Sequence, residues 1–277
     1  MAQTTSTPQT GAPSSLPSTP TLVLRAFGFW LTQYRRVWRG TAISTIVEPL
    51  GFLAAMGLGL GLLVDKGQGA NTLDGVSYLE FIAPGLLAAS AMQMTSFEST
   101  YPVMGAIKWN RQYHAMLATP LRVVDVLAGH LLFIVLRLFI TTTVFLAIMV
   151  AFGAISSPWA VLCIPVGMLT GFAYAPAIFA FSATRENDSG FAMLFRFGIV
   201  PMFLFSGTFY PLSTLPLWLQ WIGWISPLWH ATEIGRWLTY GRPIEPAMLL
   251  VHFGYLTILI AVGFVLGRRV FQRRLAK

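Results

Sequence analysis

"FIAPGLLAASAMQMTSFESTYPVMGAIKWNRQYHAMLATPLRVVDVLAG", residues 81–129, holds two unlike things in one run. Its ends are apolar and belong to stretches long enough to cross a ~30 Å hydrocarbon layer as helices. Between them, residues 105–125 carry Lys108, Arg111, His114 and Arg122, interleaved with Trp109 and Tyr113. On a helix over 106–117, Trp109, Tyr113, Met116 and Leu117 fall at the i, i+4, i+7, i+8 spacing of one apolar face, while Lys108, Arg111, Gln112 and His114 point elsewhere. A segment patterned this way, held between two spans, either lies on lipid headgroups or docks into a partner's groove. An ordinary connection would be brief and polar. "ATPL" then restarts the chain, with Thr119 expected as N-cap and Pro120 as the first helical residue of the next span.

The whole chain supports the membrane reading. Of its 277 residues 55% are hydrophobic and 10% charged, with mean hydropathy +0.67, whereas a soluble domain carries about 25% charged residues. The net charge of +8 comes from basic residues clustered beside apolar runs. There they act as topology signals and anionic-lipid contacts, so the lipid bilayer and not nucleic acid is the expected partner of this charge. Cys163 stands alone, which excludes an internal disulfide or a thiolate metal cluster and leaves a small buried hydrophobe. His114, His130, His230 and His252 are scattered, without metal-ligand spacing. No nucleophile–base pair is suggested, so no catalytic residue and no metal site are expected. The pattern G-x-x-x-x-G-K-[ST] is absent, so the chain has no P-loop for ATP.

Residues 1–20 are rich in Ser, Thr and Pro and lack the basic-then-apolar layout of a secretory signal, so a disordered cytoplasmic tail is expected. Over 21–40, Arg25, Arg35, Arg36 and Arg39 share one helical stripe, with Leu22, Phe27, Trp30, Leu31, Tyr34 and Trp38 opposite. That pattern predicts an amphipathic interfacial helix ending near Gly40; the alternative is a plain extension of the next span. Six apolar stretches follow, near 41–64, 78–104, 121–153, 158–182, 190–206 and 246–267, within a transmembrane domain over 41–270. Residues 206–233 are apolar but interrupted by Pro211, Pro216 and Pro227, which forbids one continuous helix. With Trp218, Trp221, Trp224 and Trp229 they predict one or two short helices dipping into the outer leaflet. Basic residues concentrate before the first span, in 105–122, in the 183–189 loop and in the tail 271–277. The positive-inside rule then places both termini in the cytoplasm.

Ionisable groups inside spans are costly and therefore informative. Glu48, Glu98, His130 and Arg137 fall within the first three stretches, toward their cytoplasmic ends except for the deeper Arg137. They are expected to form an intramembrane polar network, either moving with the 105–119 segment or serving as static ion pairs.

Residues 81–129 resemble the core of ABC-2 type transporter permeases, in particular the branch containing nodulation lipo-oligosaccharide exporters. "FLFSGTFYPLSTLPLWLQWIGWISPLWHATEIGR", residues 203–236, resembles the same family's signature before the last span, through Ser206, Gly207, Tyr210, Pro211 and Pro216. The resemblance covers roughly residues 21–270. It implies an all-α integral membrane protein with six transmembrane helices, an N-terminal interfacial helix, a cytoplasmic coupling helix and short re-entrant external helices before the last span. Residues 105–119 would be the coupling helix resting in a cleft of an ATPase, with Lys108, Trp109, Arg111, Tyr113 and His114 making the contact. Two copies, or two related permease chains, would pair with a dimer of ABC ATPase subunits. ATP and Mg would be bound by those subunits and no cofactor by this chain. The implied function is ATP-driven export across the cell membrane of an amphipathic or lipid-linked substrate: a glycolipid, a polysaccharide or a hydrophobic drug. An energy-independent secondary transporter and an intramembrane lipid-modifying enzyme are the alternatives. The first would call for an internal repeat, which is not found, and the second for a catalytic constellation, which is missing.

Overall fold

The computed structural model describes residues 18–67 and 73–275; of the expected tail over 1–20, residues 1–17 lie outside this range, as do the last two residues of the basic terminus, while Thr19 and Pro20 already belong to a helix. Among the described residues every regular element is helical. The helices are α1 (Thr19–Phe52), α2 (Gly61–Lys66), α3 (Tyr78–Glu98), α4 (Tyr101–Met104), α5 (Gln112–Leu117) and α6 (Val123–Ala151). They continue with α7 (Cys163–Thr184), α8 (Ser189–Met193), α9 (Val200–Phe205), α10 (Leu217–Ile225), α11 (Pro227–Tyr240) and α12 (Pro246–Leu275). Wider π turns, Leu53–Leu60 and Leu194–Ile199, join α1 to α2 and α8 to α9 without a break.

The first rod, Thr19–Lys66, is 48 residues long. At 1.5 Å per residue that is ~70 Å, more than twice the hydrocarbon thickness, so a large part of it must lie outside the apolar layer. The expected break at Gly40 is not there: the helix runs through it. A helical glycine costs only about 1 kcal/mol relative to alanine, too little to interrupt a helix with strong formers on both sides.

Each of the six stretches read as a span is helical. Four helices are long and apolar enough to cross a membrane: Thr19–Lys66, Val123–Ala151, Pro158–Thr184 and Pro246–Leu275. Ser189–Phe205 is apolar but shorter. The remaining stretch, α3, has a different composition for a physical reason. It starts at a capping box, where Ser77 Oγ accepts from the Glu80 amide at 3.3 Å and Glu80 Oε2 accepts from the Ser77 amide at 3.1 Å. From there it is buried on nearly every side, through Phe81, Ala83, Gly85, Ala88, Ala89 and Ala91. Its neighbours are α6, α7 and α11. Small residues suit a helix surrounded by helices, because they let backbones approach closely, and such a helix needs less grease than one facing lipid.

α12 packs along α7 and α1 along α6. At the second of these crossings Gly129 is required: a Cβ there would sit 2.5 Å from the Ala26 Cβ and 2.9 Å from the Phe27 amide nitrogen. The interior divides into two apolar cores. One gathers Phe81, Leu86, Phe145, Met149, Leu228 and Ile234; the other gathers Trp30, Tyr113, Leu127, Ile134, Phe179 and Phe271. The proline-rich segment forms two short helices, as expected. Gly207 at φ +75° turns the chain after α9, Pro216 caps α10, and Ser226 Oγ accepts from the Leu228 amide at 3.3 Å where α11 begins.

Candidate functional site

The basic aromatic segment is built differently from one continuous helix. A π turn over Gly105–Trp109 follows α4, and α5 follows Arg111, which adopts a left-handed backbone at φ 48°, ψ 31°. That bend rotates α5 relative to the turn before it and splits the apolar face expected from periodicity. Trp109 is 60% exposed, whereas Tyr113 is fully buried. Tyr113 therefore faces its own bundle, which corrects its expected place beside Trp109 on a docking surface. Its hydroxyl lies 2.6 Å from His130 Nδ1 on α6. The His130 ring stacks on Trp30 of α1 at 3.7 Å, and Phe271 of α12 meets the Tyr113 ring edge-on at 5.7 Å. One side chain thus ties the segment to three long helices.

The opposite side of the segment is charged. Glu186, in the loop after α7, receives Lys108 Nζ at 2.7 Å and Arg274 Nη2 of α12 at 2.6 Å. The hydrogen bond from Lys108, then that from Arg274, holds the Glu186 carboxyl below its ordinary 4.5. Lys108, Arg111, His114, Arg273 and Arg274 line a shared groove beside this bridge. Trp109 is exposed on the same connecting segment. The following span does not begin at Thr119, whose hydroxyl instead donates to the Met116 carbonyl at 2.6 Å. It begins at Val123, where Asp125 Oδ2 accepts from the Arg122 amide at 3.0 Å and from Arg122 Nε at 2.9 Å. Arg122 also donates to Thr19 Oγ1 at 2.8 Å, fastening the start of α1 to the start of α6.

The four ionisable groups expected in one network separate into two places. Glu98 and Arg137 meet at 3.4 Å, with the guanidinium 5.0 Å above the Tyr34 ring. They line a cavity of about 350 Å³ that also receives Glu48, Gln93, Phe97 and Phe203. His130 is not among its lining residues and belongs to the Tyr113 cluster. Among the described residues no group of three or more His, Cys, Asp or Glu side chains is placed to hold a metal ion.

The Ser206–Pro216 signature has a structural centre that the sequence reading missed. Arg236 is 1% exposed, lies 3.7 Å over the Phe81 ring, donates to the Gly207 carbonyl at 2.7 Å and pairs with Glu233 at 3.1 Å. Arg242 joins Glu233 at 2.7 Å to Asp74 at 3.2 Å. The local signal was visible, since Glu233 and Arg236 stand three apart, one helical turn. Ser206 Oγ contacts Thr208 Oγ1 at 2.8 Å and the Tyr210 hydroxyl donates to the Leu204 carbonyl at 2.7 Å, so these residues shape the turn into which Arg236 inserts. Pro211 and Pro216 bracket the short turn that follows. His230 and His252, with Nδ1 atoms 2.8 Å apart, were also missed; residues 22 apart on different helices leave no local trace.

The bundle, with its basic connecting segment and proline-broken helices before α12, has matches among known proteins. The profile of the ABC-2 type transporter family matches residues 26–240. The chain belongs to the ABC-2 type transporter family. It is 30% identical over 257 residues to Nodulation protein J of Rhizobium leguminosarum bv. viciae, covering 90% of this chain and 95% of that protein. Nodulation protein J of Rhizobium meliloti is 28% identical over 253 residues, covering 89% and 94%. The inner membrane transport permease YadH of Escherichia coli is 22% identical over 242 residues, covering 87% and 91%. The chain is thus a multi-pass transport permease and not a catalytic enzyme, from a family that works with ABC ATPase partners.

Proposed function

We propose that this ABC-2 permease is the membrane subunit of an ATP-driven exporter that moves an amphipathic or lipid-linked molecule outward across the cell membrane. ATP and Mg belong to a dimer of separate ATPase subunits, and a second permease, identical or related, completes the complex. The observation that carries this reading is the connecting segment. It exposes the Trp109 indole, while Tyr113 fastens it to α1, α6 and α12 on its buried side and Lys108 joins it through Glu186 to the loop after α7 and to Arg274 of α12 on its charged side. A partner pressing on Trp109 would move those helices with it. In this reading all six stretches cross, both termini are cytoplasmic, residues 21–40 extend the first span on the cytoplasmic side, and residues 206–230 sit in the outer leaflet.

The test is purification from native membranes. An ATPase subunit should co-purify with the chain, and Trp109→Ala should release it, at a cost of about 2 kcal/mol or more in binding. A chain that purifies alone and transports without ATP would overturn the proposal.

A further inference from the structure

The cavity that holds Glu98 and Arg137 is chemically lopsided. Three of its four hydroxyls are already committed as donors: Ser44 and Thr45 to the Thr41 carbonyl at 2.9 and 2.8 Å, and Ser90 to the Leu87 carbonyl at 2.9 Å. What these groups still offer is oxygen lone pairs. Gln93, Thr141 and the guanidinium of Arg137 supply the remaining side-chain donors. The one cation on the wall, Arg137, is engaged by Glu98. Glu48, projecting from α1, has no hydrogen-bond or ion-pair partner among the described residues. Counting Glu48 and Glu98 against Arg137, the lining carries one formal negative charge in excess. The apolar part of the wall is aromatic, with Phe97, Phe195 and Phe203.

Resting on the permease reading above, we infer that this cavity binds an amphiphile bearing a single protonated amine, with Glu48 as its counter-ion. Each feature of the wall answers a feature of that ligand. An ammonium brings donors to a surface rich in acceptors, a positive charge to an unpaired carboxylate, and a cation to aromatic rings, whose faces attract it. Its alkyl portion lies against the phenylalanines. A phosphate or sulfate headgroup meets Glu48 with no free cation to balance it. A neutral polyhydroxylated headgroup satisfies the acceptors but leaves the Glu48 carboxylate without a counter-ion.

Three alkyl probes with one diazirine in the chain separate these ligands: a primary amine, its N-acetyl amide and its N-succinyl derivative. The full-length permease is placed in zwitterionic lipid nanodiscs without any ATPase, photolysed with each probe, and the labelled peptides are mapped by mass spectrometry. The amine should label the peptides containing residues 44–49 and 195–203 at least tenfold more than either derivative. Glu48→Gln should remove that preference, and Glu48→Asp should retain most of it. Equal labelling by all three probes, or preference for the amide or the succinate, overturns the inference. A preference that survives in Glu48→Gln overturns the role of Glu48. The three-probe comparison on the unaltered chain decides the ligand class even where a variant folds poorly. Because no ATPase is present, failure here leaves the permease reading standing, and loss of that reading is seen separately in co-purification.

Discussion

Trp109 and Tyr113 stand four residues apart, and by helical periodicity alone they belong on one face. A single left-handed residue, Arg111, sends them to opposite sides. Two different outcomes are therefore expected from mutating them. Tyr113→Phe removes the hydroxyl 2.6 Å from a buried imidazole nitrogen, which should cost about 1–2 kcal/mol and lower the thermal unfolding midpoint in detergent. Trp109→Ala should leave that midpoint unchanged and act only on partner binding. Glu186 makes a third case. Its folded value is depressed by Lys108 and Arg274, so its bridge stabilises fully above the ordinary 4.5 and is lost as pH falls through the lower folded value. The unfolding midpoint in detergent should fall in Glu186→Gln at pH 7, and its difference from the unaltered chain should shrink as the pH is lowered below 4.5. At this scale the sequence disclosed which residues are unusual but not what they touch. Glu98 and Arg137 lie on different helices, as do His130 and Tyr113, and one-dimensional spacing carries no distance between helices.

At the scale of elements, the reading succeeded where hydrophobic runs are long and failed at their ends. All six apolar stretches are helical, and the prolines of 206–227 divide the segment before α12 into α10 and α11 as their chemistry requires. The misses were a break placed at Gly40 and a helix start placed at Thr119. Both are decided by small local energies: about 1 kcal/mol for a helical glycine, and the choice between Thr119 and the Arg122–Asp125 pair as cap. α3 was legible as a helix by length, and its small-residue composition goes with burial among other helices. The α1–α6 crossing gives a prediction at this scale. Gly129→Leu places a side chain where Ala26 already stands. It should separate the two helices and destabilise the bundle by roughly 1–3 kcal/mol or more, read as a lowered unfolding midpoint and as faster hydrogen exchange confined to α1 and the first half of α6. Arg111→Gly, by contrast, suits a left-handed backbone and should preserve the bend, whereas the β-branched side chain of Arg111→Val should weaken it.

The molecule as a whole is a helical bundle whose connecting segment is attached on its inner side and exposed on its outer side. Its class was evident in composition and in two motifs, and family membership confirms it. Orientation follows from charge: reporter fusions after residue 277 and within residues 65–77 should lie on opposite sides of the membrane, with the first in the cytoplasm. The central claim is that the 105–119 segment receives force from an ATPase. It is tested most directly by replacing Trp109 with cysteine in a Cys163→Ala background and attaching a photoactivatable cross-linker there in native membranes. The only natural thiol is buried and is removed in this background, so the label is confined to the introduced site. The account predicts a cross-link from position 109 to an ATPase subunit and none from a Trp218→Cys variant, whose exposed position on α10 falls on the outer side in the proposed topology. Cross-links from position 109 to lipid alone, or to the ATPase equally from both positions, would contradict it.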